Sequence, residues 1–286
     1  KHFLMNQESR NILGAHETRF GTEFPIRFNF LDTYKGGNLS VQCHPSLKYI
    51  QEEFGENITQ DECYYILDCD ESASVYLGFQ NDINPEKFRS ELIRSQKDNV
   101  ELAITEYVQK HPSKKHELYL IPNGTVHSAG AGNMVLEISA TPYIFTFKMY
   151  DWLRLDLDGK PRPINIDHAF NNLRFERKGD KVSQELFSHK KQIEVGDNFE
   201  IIQYPTHKEH FYEVRRLDFD TSITRNTQGS CQVMMLVEGQ KVKLEVNGLC
   251  EVLNYAETFV IPAAANEFKL TNLSSTRAKI VNAYLK

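Results

Sequence analysis

The feature that most constrains the fold is a series of short runs rich in β-branched and aromatic residues, each bounded by Gly, Pro, Asn or Asp. Such runs predict strands, because these side chains suit a pleated surface and the bounding residues favour turns. Their even spacing favours a β-sandwich or jelly roll over alternating strands and helices. In the first half of the chain the runs cover residues 27–33, 38–44, 63–69, 74–80, 117–124 and 133–140.

Two segments of the first half break this strand pattern. Residues 85–110 place Phe88, Leu92 and other apolar residues among charges at roughly helical intervals, which predicts a helical insertion. A shorter helix is predicted over residues 46–54 by the same spacing. A second strand-rich block begins near Phe199 and has runs at about ten-residue intervals.

We therefore predict a mainly β (all-β) protein with two jelly-roll domains and a helical insertion in the first domain. The chain has 286 residues, which is long for one domain and agrees with two. The predicted divisions are a first domain over residues 1–155, a charged connecting segment over 156–195 and a second domain over 196–286.

Composition excludes several classes of protein. Hydrophobic residues make up 40% and charged residues 25% of the chain, which is ordinary for a globular protein. The formal net charge is −6, which argues against nucleic acid and anionic membranes as partners. No apolar run approaches the roughly 20 residues of a membrane helix. The 5 cysteines form no CxxC pair, so we expect reduced thiols and a cytoplasmic protein. The first residue is Lys rather than Met, so we expect that an N-terminal segment precedes it in the full protein.

Candidate metal ligands fall in three parts of the first block. Gln42 and His44 are two residues apart in a predicted strand and share a face, Glu62 opens the next run, and His127 follows a Pro-x-Gly turn. Zinc accepts such nitrogen and oxygen donors and remains a good Lewis acid among mostly neutral ligands. Two imidazoles and a carboxylate also suit ferrous iron, so an iron-dependent oxygenase is an alternative. Histidines at such spacings also occur as ordinary buried or surface residues.

The phrases that carry these residues resemble the type I mannose-6-phosphate isomerases of the cupin superfamily. The resemblance is strong over about residues 11–155 and looser in the second block. It implies a zinc-dependent aldose–ketose isomerase that interconverts mannose 6-phosphate and fructose 6-phosphate through an enediol(ate). In the family's order, the matching phrases are FLDTYKGGNLSVQCHPS, DECYYILD, SVYLGF, IPNGTVHSAG, LEISA and YDWLR.

The resemblance also implies the ligands and the partners. One Zn²⁺ per chain would be held by Gln42, His44, Glu62 and His127. The substrate would be a small sugar phosphate, and the chain would act as a monomer or homodimer. In the second block, Glu267 stands where VIPAAANE would need a histidine, so the second domain is predicted to lack the metal site.

Three further residues are catalytic candidates by the same resemblance. Glu137 in LEISA matches a family carboxylate near the metal and is the first candidate for the proton-transferring base. Its alternative role is a structural hydrogen-bond acceptor. Arg154, at the end of YDWLR, matches a family basic residue and is a candidate for catalysis and substrate binding. Lys148 stands where the family commonly has Arg, and it keeps the charge without the forked donors.

A second departure from the family is Gln60, which stands where a lysine is common. Lys115, with its neighbour Lys114, is predicted to replace the missing charge and to bind substrate. Because Gln60 and Lys148 both depart from the pattern, a non-catalytic protein that binds sugar phosphate in the same pocket is a further alternative.

Overall fold

The structure, a computed structural model, describes residues 2–140 and 145–286. Residue 1 and residues 141–144, which fall inside the predicted first domain, lie outside the described residues. The chain forms two compact units: the first unit is residues 27–187, and the second unit is residues 1–26 with 188–286. This division differs from the predicted boundaries, because residues 1–26 join the second unit and residues 156–187 join the first.

The helices and strands follow one another in chain order. The chain begins with α1 (His2–Leu13) and α2 (Glu17–Phe20) of the second unit. The first unit follows with β1 (Ile26–Asp32), β2 (Val41–Cys43), α3 (Leu47–Phe54), β3 (Glu62–Cys69), β4 (Ser74–Phe79), α4 (Pro85–Asp98), β5 (Val108–Pro112), β6 (Leu118–Ile121), β7 (His127–Ala129), β8 (Asn133–Ala140), β9 (Phe147–Tyr150), α5 (Ile166–Phe170) and α6 (Lys181–Glu185). The second unit resumes with β10 (Lys191–Val195), β11 (Phe199–Tyr204), β12 (Tyr212–Phe219), β13 (Ser222–Asn226), β14 (Gln232–Glu238), β15 (Lys241–Val246), β16 (Leu249–Asn254), β17 (Thr258–Ile261), β18 (Glu267–Asn272) and β19 (Ala278–Leu285).

The first unit is built from two antiparallel sheets. One has the order β1-β8-β3-β6, and the other has the order β5-β4-β7-β2-β9. Tyr64 and Ile66 of β3 pack in one apolar cluster with Val75 and Leu77 of β4, so the two sheets share a core. Side chains alternate along a strand, which puts Glu62 on the same inner face as Tyr64 and Ile66.

The predicted helical insertion is present but shorter than expected. The Asn84 side chain accepts a hydrogen bond from the backbone of Lys87 at the start of α4, and Asn99 ends the helix in a left-handed conformation with φ of 54°. Phe88 and Leu92 are buried beneath the helix. Residues 108–112 are not helical, because they pair with β4 as strand β5.

The second unit also has two antiparallel sheets, with the orders β10-β11-β12-β19-β14-β17 and β13-β18-β15-β16. Leu217 and Leu236 of the first sheet pack with Phe268 and Leu270 of the second. The predicted mainly β fold with a helical insertion is therefore confirmed. The N-terminal helices and strands β10, β13 and β18 had no counterpart in the sequence prediction. None of the helices in the described residues is long and apolar enough to cross a membrane.

Candidate metal centre and active site

The structure brings the four predicted metal ligands together. Gln42 on β2 pairs directly with His127 at the start of β7, and His44 lies just beyond β2. Glu62 begins β3 on the other sheet of the same unit. Residues separated by up to 85 positions along the chain therefore meet at one end of the first unit.

The distances between donor atoms are short, and three of the four candidate ligands are fully buried. Glu62 Oε1 lies 3.2 Å from His44 Nε2 and 3.0 Å from His127 Nε2, while Gln42 Nε2 lies 3.2 Å from His127 Nε2. Neighbouring ligands of tetrahedral zinc, each about 2.0–2.1 Å from the ion, are about 3.3–3.5 Å apart. The side chains of His44, Glu62 and His127 are no more than 1% exposed. The spacing and burial thus fit a small enclosed cation.

Backbone carbonyls orient both imidazoles. His44 Nδ1 donates to Phe145 O and His127 Nδ1 donates to Thr125 O, each over 2.9 Å. Because a carbonyl only accepts, each neutral ring must turn an unprotonated Nε2 towards Glu62. His44 Nε2 and Glu62 Oε1 are buried without a hydrogen-bond partner among the described residues. Facing lone pairs in a dry site are costly, and a cation between them satisfies all of them.

Gln42 completes the donor set. Its Oε1 accepts a hydrogen bond from Ser40 Oγ over 3.1 Å, while its Nε2 faces His127. The nitrogen and oxygen of an amide have the same shape, and a half-turn of the side-chain amide exchanges them. With its oxygen turned towards the imidazoles, Gln42 becomes a fourth donor, and a neutral one.

Charge within the cluster shifts two ionisations. Burial disfavours the charged carboxylate of Glu62, but His44 and His127 outweigh burial and hold its pKa below the usual range. Burial likewise disfavours a charged His44, but the Glu62 carboxylate outweighs it and raises the pKa of the imidazole. Glu62 therefore stays anionic in the folded chain, as a metal ligand must.

Gln60, noted in the sequence as a departure, hydrogen-bonds to the cluster. The Nε2 of Gln60 donates to Glu62 Oε2 over 2.9 Å. Glu62 Oε1 is therefore left to face the two imidazoles. Its side chain is buried, with the residue 3% exposed. The signal was present in the sequence, because residues 60 and 62 are two apart and share a face.

The turn before His127 is held by groups from distant segments. Gly124 has φ of +74°, and its N–H donates to His44 O over 2.8 Å. Arg177 Nη1 donates to Pro122 O over 3.0 Å and to Asn123 O over 2.6 Å. Arg177 lies in the predicted connecting segment, so part of that segment supports the site. Nothing in the sequence indicated this contact.

Glu137 lies on the same inner face, two residue pairs further along the sheet than Glu62. It is paired with Tyr64, whereas Glu62 is paired with Ser139. Arg27 Nη2 donates to Glu137 Oε1 over 2.8 Å, and Ser139 Oγ donates to the same atom over 3.0 Å. Burial and the negative charge of Glu62 raise the pKa of Glu137 against the opposing effect of Arg27. The Arg27 partner was missed in the sequence, since 110 positions separate the pair.

Lys148 reaches the same end of the unit from the other sheet. It stands directly opposite Gln42 on the paired strands β2 and β9, and residues opposite each other project from the same face. The side chain is partly buried. The structure therefore places Lys148 on the sheet face that carries Gln42.

The structure does not bring Lys115 to this cluster. Glu62 pairs with Ile121 and Tyr65 pairs with Leu118. Strands β3 and β6 therefore extend about 10 Å away from the cluster before they reach the turn that holds Lys115. Lys115 is exposed at that far end. It cannot replace a charge at Gln60 because the two lie at opposite ends of the same strand pair.

Arg154 is also engaged elsewhere. Its guanidinium is paired with Asp151, which Arg162 approaches to 3.6 Å. All three residues line a small separate cavity beside the C-terminal part of α4. The expected roles of Arg154 in catalysis and substrate binding therefore gain no support from its position.

Comparisons with known proteins find similar sequences and a similar fold. The chain is 29% identical over 160 residues to the mannose-6-phosphate isomerase ManA of Bacillus subtilis, covering 56% of this chain and 46% of that protein. It is 30% identical over 166 residues to the mannose-6-phosphate isomerase of Streptococcus mutans, covering 57% and 49%. The match therefore spans about half the length of these curated relatives. No family model matches the chain.

Solved structures extend the likeness over nearly the whole chain. The mannose 6-phosphate isomerase of Bacillus subtilis superposes with a TM-score of 0.77 at 22% identity, covering 98% of this chain and 80% of that one. A putative mannosephosphate isomerase of Archaeoglobus fulgidus gives 0.73 at 19% identity, covering 99% and 79%. At these identities the likeness establishes the fold.

Proposed function

We propose that the first unit binds one Zn²⁺ through Gln42, His44, Glu62 and His127, and that the protein interconverts mannose 6-phosphate and fructose 6-phosphate. The observation that carries the proposal is the buried cluster in which the Nε2 atoms of His44 and His127 lie 3.2 Å and 3.0 Å from one carboxylate oxygen of Glu62. The named activity of the similar Bacillus and Streptococcus proteins supports the choice of reaction. A bound Zn²⁺ would supply Lewis-acid stabilisation of negative charge on substrate oxygens.

Interconversion of an aldose and a ketose moves one carbon-bound proton between adjacent carbons through an enediol(ate). A base must therefore remove the proton from one carbon and return it to the other, and it must reach both. Glu137 is our candidate because its carboxyl is buried on the inner face beside the donor cluster, with its pKa raised by burial. Arg27 and Ser139 both bind Oε1, which leaves Oε2 as the atom for the proton.

Negative charge develops on the substrate oxygens as the proton leaves carbon. Lys148 would stabilise that charge, or hold the phosphate, from the wall that carries Gln42. A single ammonium lacks the two parallel donors of the family's arginine, so it acts as a point charge. Burial of the cluster keeps bulk water away from the charged groups and strengthens each of these interactions.

A sugar phosphate is the substrate class that this proposal requires. We keep the cytoplasm as the expected compartment, in line with cysteines that are all free. A monomer or homodimer remains the expectation for its assembly.

The decisive experiment measures metal content and isomerisation on the same samples. The parent protein should hold one zinc per chain and convert mannose 6-phosphate to fructose 6-phosphate. His127→Ala should lose both, whereas His189→Ala, which removes an exposed histidine, should retain both. Full turnover by metal-stripped protein would refute the role of the metal. Iron in place of zinc, with oxygen uptake and no isomerisation, would favour the oxygenase alternative.

The roles of Glu137 and Lys148 are separated by a second pair of variants. Glu137→Gln should lower kcat by about 10²–10⁴-fold while zinc content is unchanged, because only the base is lost. Lys148→Met should lower turnover, with Lys160→Met, an exposed lysine, as the control. Binding of mannose 6-phosphate without any turnover by the parent protein would favour the non-catalytic alternative.

A further inference from the structure

The second unit has a site at the position that corresponds to the metal centre of the first. In the first unit, Glu62 pairs with Ile121, and His127 follows six residues later at the start of the next strand. In the second unit, Gln232 pairs with Ile261, and Glu267 follows six residues later at the start of the next strand. Gln232 and Glu267 therefore occupy the places of Glu62 and His127.

Strand register extends the correspondence to the neighbouring positions. Gln42 pairs with His127, and Asn226 pairs with Glu267. His44 lies two residues after Gln42, and Gln228 lies two residues after Asn226. The two counterparts of the imidazoles are thus Gln228 and Glu267.

The second unit also has a counterpart of the Arg27–Glu137 pair, in which the carboxylate partner is replaced. Glu137 lies opposite Tyr64, two residues beyond Glu62 on β3. Asn282 lies opposite Met234, two residues beyond Gln232 on β14, and Arg215 stands beside it on β12. An amide therefore replaces the carboxylate next to an arginine.

A cavity of about 320 Å³ lies at this position. It is lined by all four counterparts of the metal ligands and by Arg215, Asn282 and Tyr284. Its size falls within the range of pockets that hold small molecules. The two imidazoles are replaced by the amide of Gln228 and the carboxylate of Glu267, which removes the nitrogen donors that zinc prefers. The amides of the wall can bind hydroxyl groups.

A chain of amide hydrogen bonds fixes one unused acceptor in the cavity wall. Gln232 Nε2 donates to Thr227 O over 3.0 Å and to Ser230 O over 2.9 Å, so its Oε1 must face Asn282. Asn282 Nδ2 donates to that oxygen over 2.8 Å. Asn282 Oδ1 is left without a hydrogen-bond partner in the part of the chain that the structure describes, although the residue is only 5% exposed. An unused buried acceptor calls for a donor such as a hydroxyl group.

Arg215 supplies positive charge beside this acceptor. Its guanidinium lies 4.6 Å from the centre of the Tyr284 ring, and its Nε is buried with no hydrogen-bond partner within residues 2–140 and 145–286. The other arginine of the wall, Arg225, is in a bidentate pair with Glu194, whose two oxygens lie 2.9 Å from it. Glu267 is exposed, so water screens its charge. Arg215 is therefore the charge that an incoming anion would meet inside the cavity.

We propose that this cavity, lined by Arg215, Asn282 and Tyr284, binds a small hydroxylated anion of the sugar-phosphate class without a metal. The anionic group would accept hydrogen bonds from Arg215, and a hydroxyl would donate to Asn282 Oδ1. This site is separate from the metal centre in sequence and in chemistry, and it does not depend on the isomerase reaction. A phosphate that carries a hydroxylated body has an anion for Arg215 and hydroxyl donors for Asn282 Oδ1, and it fills more of the cavity than inorganic phosphate does. A neutral sugar has no anion for Arg215.

The test uses the full chain with the His127→Ala substitution, which disables the metal centre, and measures binding by calorimetry. Mannose 6-phosphate should bind with a stoichiometry of one and at least about tenfold more tightly than inorganic phosphate or mannose. Adding Arg215→Gln should weaken the binding of mannose 6-phosphate by about tenfold or more. Adding Arg277→Gln, an arginine of the same unit paired with Asp220 and absent from the cavity wall, should leave the affinity within about twofold.

Three results would overturn the proposal. The first is the absence of mannose 6-phosphate binding up to about 10 mM. The second is equal binding of mannose and mannose 6-phosphate, which would exclude recognition of the anion. The third is unchanged affinity in the Arg215→Gln protein, provided that its circular dichroism and unfolding midpoint match those of the Arg277→Gln control. Zinc content and turnover of the protein with an intact His127 test the first unit independently.

Discussion

The N–H of Gly124 donates to the backbone oxygen of His44 over 2.8 Å, so the turn that leads to one imidazole is tied to the strand end that carries the other. The turn depends on a residue without a side chain. A Cβ on Gly124 would lie 2.5 Å from Asn172 O and 2.8 Å from Arg174 Cγ. The backbone of Gly124 is also left-handed, with φ of +74°. The geometry of the metal centre thus rests on close backbone packing as well as on its donor atoms.

Substitution of Gly124 is predicted to damage both stability and metal binding. Gly124→Ala should lower the free energy of unfolding by about 2–4 kcal/mol, because backbone strain and a steric clash add. Gly159→Ala is a matched control, since Gly159 has φ of +75° and no atom within 4 Å of its Cβ position. The control should lose only about 1 kcal/mol. Urea unfolding and zinc content measure the two effects, and equal losses in both variants would contradict the proposed packing.

The hydrogen bond from Gln60 to Glu62 is predicted to tune the affinity for zinc. Gln60→Ala should weaken zinc binding by about 10–100-fold, because Glu62 Oε2 loses the donor that orients the carboxylate. Gln184→Ala removes an exposed glutamine and serves as the control. Competition with a chromophoric chelator measures the affinity. An unchanged affinity in Gln60→Ala would show that Glu62 is oriented by other contacts.

The buried ion pair of the second unit is predicted to be important for stability. Arg216 donates to both oxygens of Asp218 over 2.7 Å, and the two side chains are 9% and 2% exposed. Asp218→Ala should lower the free energy of unfolding by about 3–5 kcal/mol, because it leaves a buried guanidinium without its counter-charge. Asp220→Ala breaks the more exposed pair with Arg277 and should cost at most about 1 kcal/mol. Urea unfolding compares the two, and similar losses would contradict the difference in burial.

His111 is predicted to make folding stability depend on pH. Burial lowers the pKa of His111 below its ordinary value of 6.5, against the effect of its hydrogen bond to Leu77 O. The unfolded chain therefore binds this proton more readily than the folded chain. The contribution to stability is complete above pH 6.5 and is lost as pH falls from 6.5 towards the lower folded pKa.

Between pH 7 and pH 5, the free energy of unfolding should fall less in the His111→Gln variant than in the parent protein. The two slopes against pH should differ by at most about the contribution of one bound proton. The slope is the relevant quantity, because loss of the ring contact with Phe187 also lowers stability at every pH. His189→Gln, at an exposed position, should keep the slope of the parent protein. A His111→Gln slope equal to that of the parent would contradict the prediction.

Local pattern was sufficient for much of the fold and for the choice of the residues proposed as metal donors. Runs rich in β-branched and aromatic residues, bounded by turn residues, mark strands such as β3 and β8, because strand and turn preferences depend on the residue types themselves. Asn84 and Pro85 likewise mark the start of α4. The expectation that Gln42 and His44 share a face followed from the alternation of side chains along a strand.

Contacts between distant residues were beyond the reach of such patterns. The pairing of Arg27 with Glu137, the support of the turn by Arg177 and the distance of Lys115 from Glu62 all depend on which strands become neighbours. Strand order is decided by burial of the whole apolar surface, which is a property of the complete chain. The sequence by itself therefore determines which chemical groups are present and which of them share a face within one strand. Which of those residues share a cavity, in either unit, is decided only when the sheets pack.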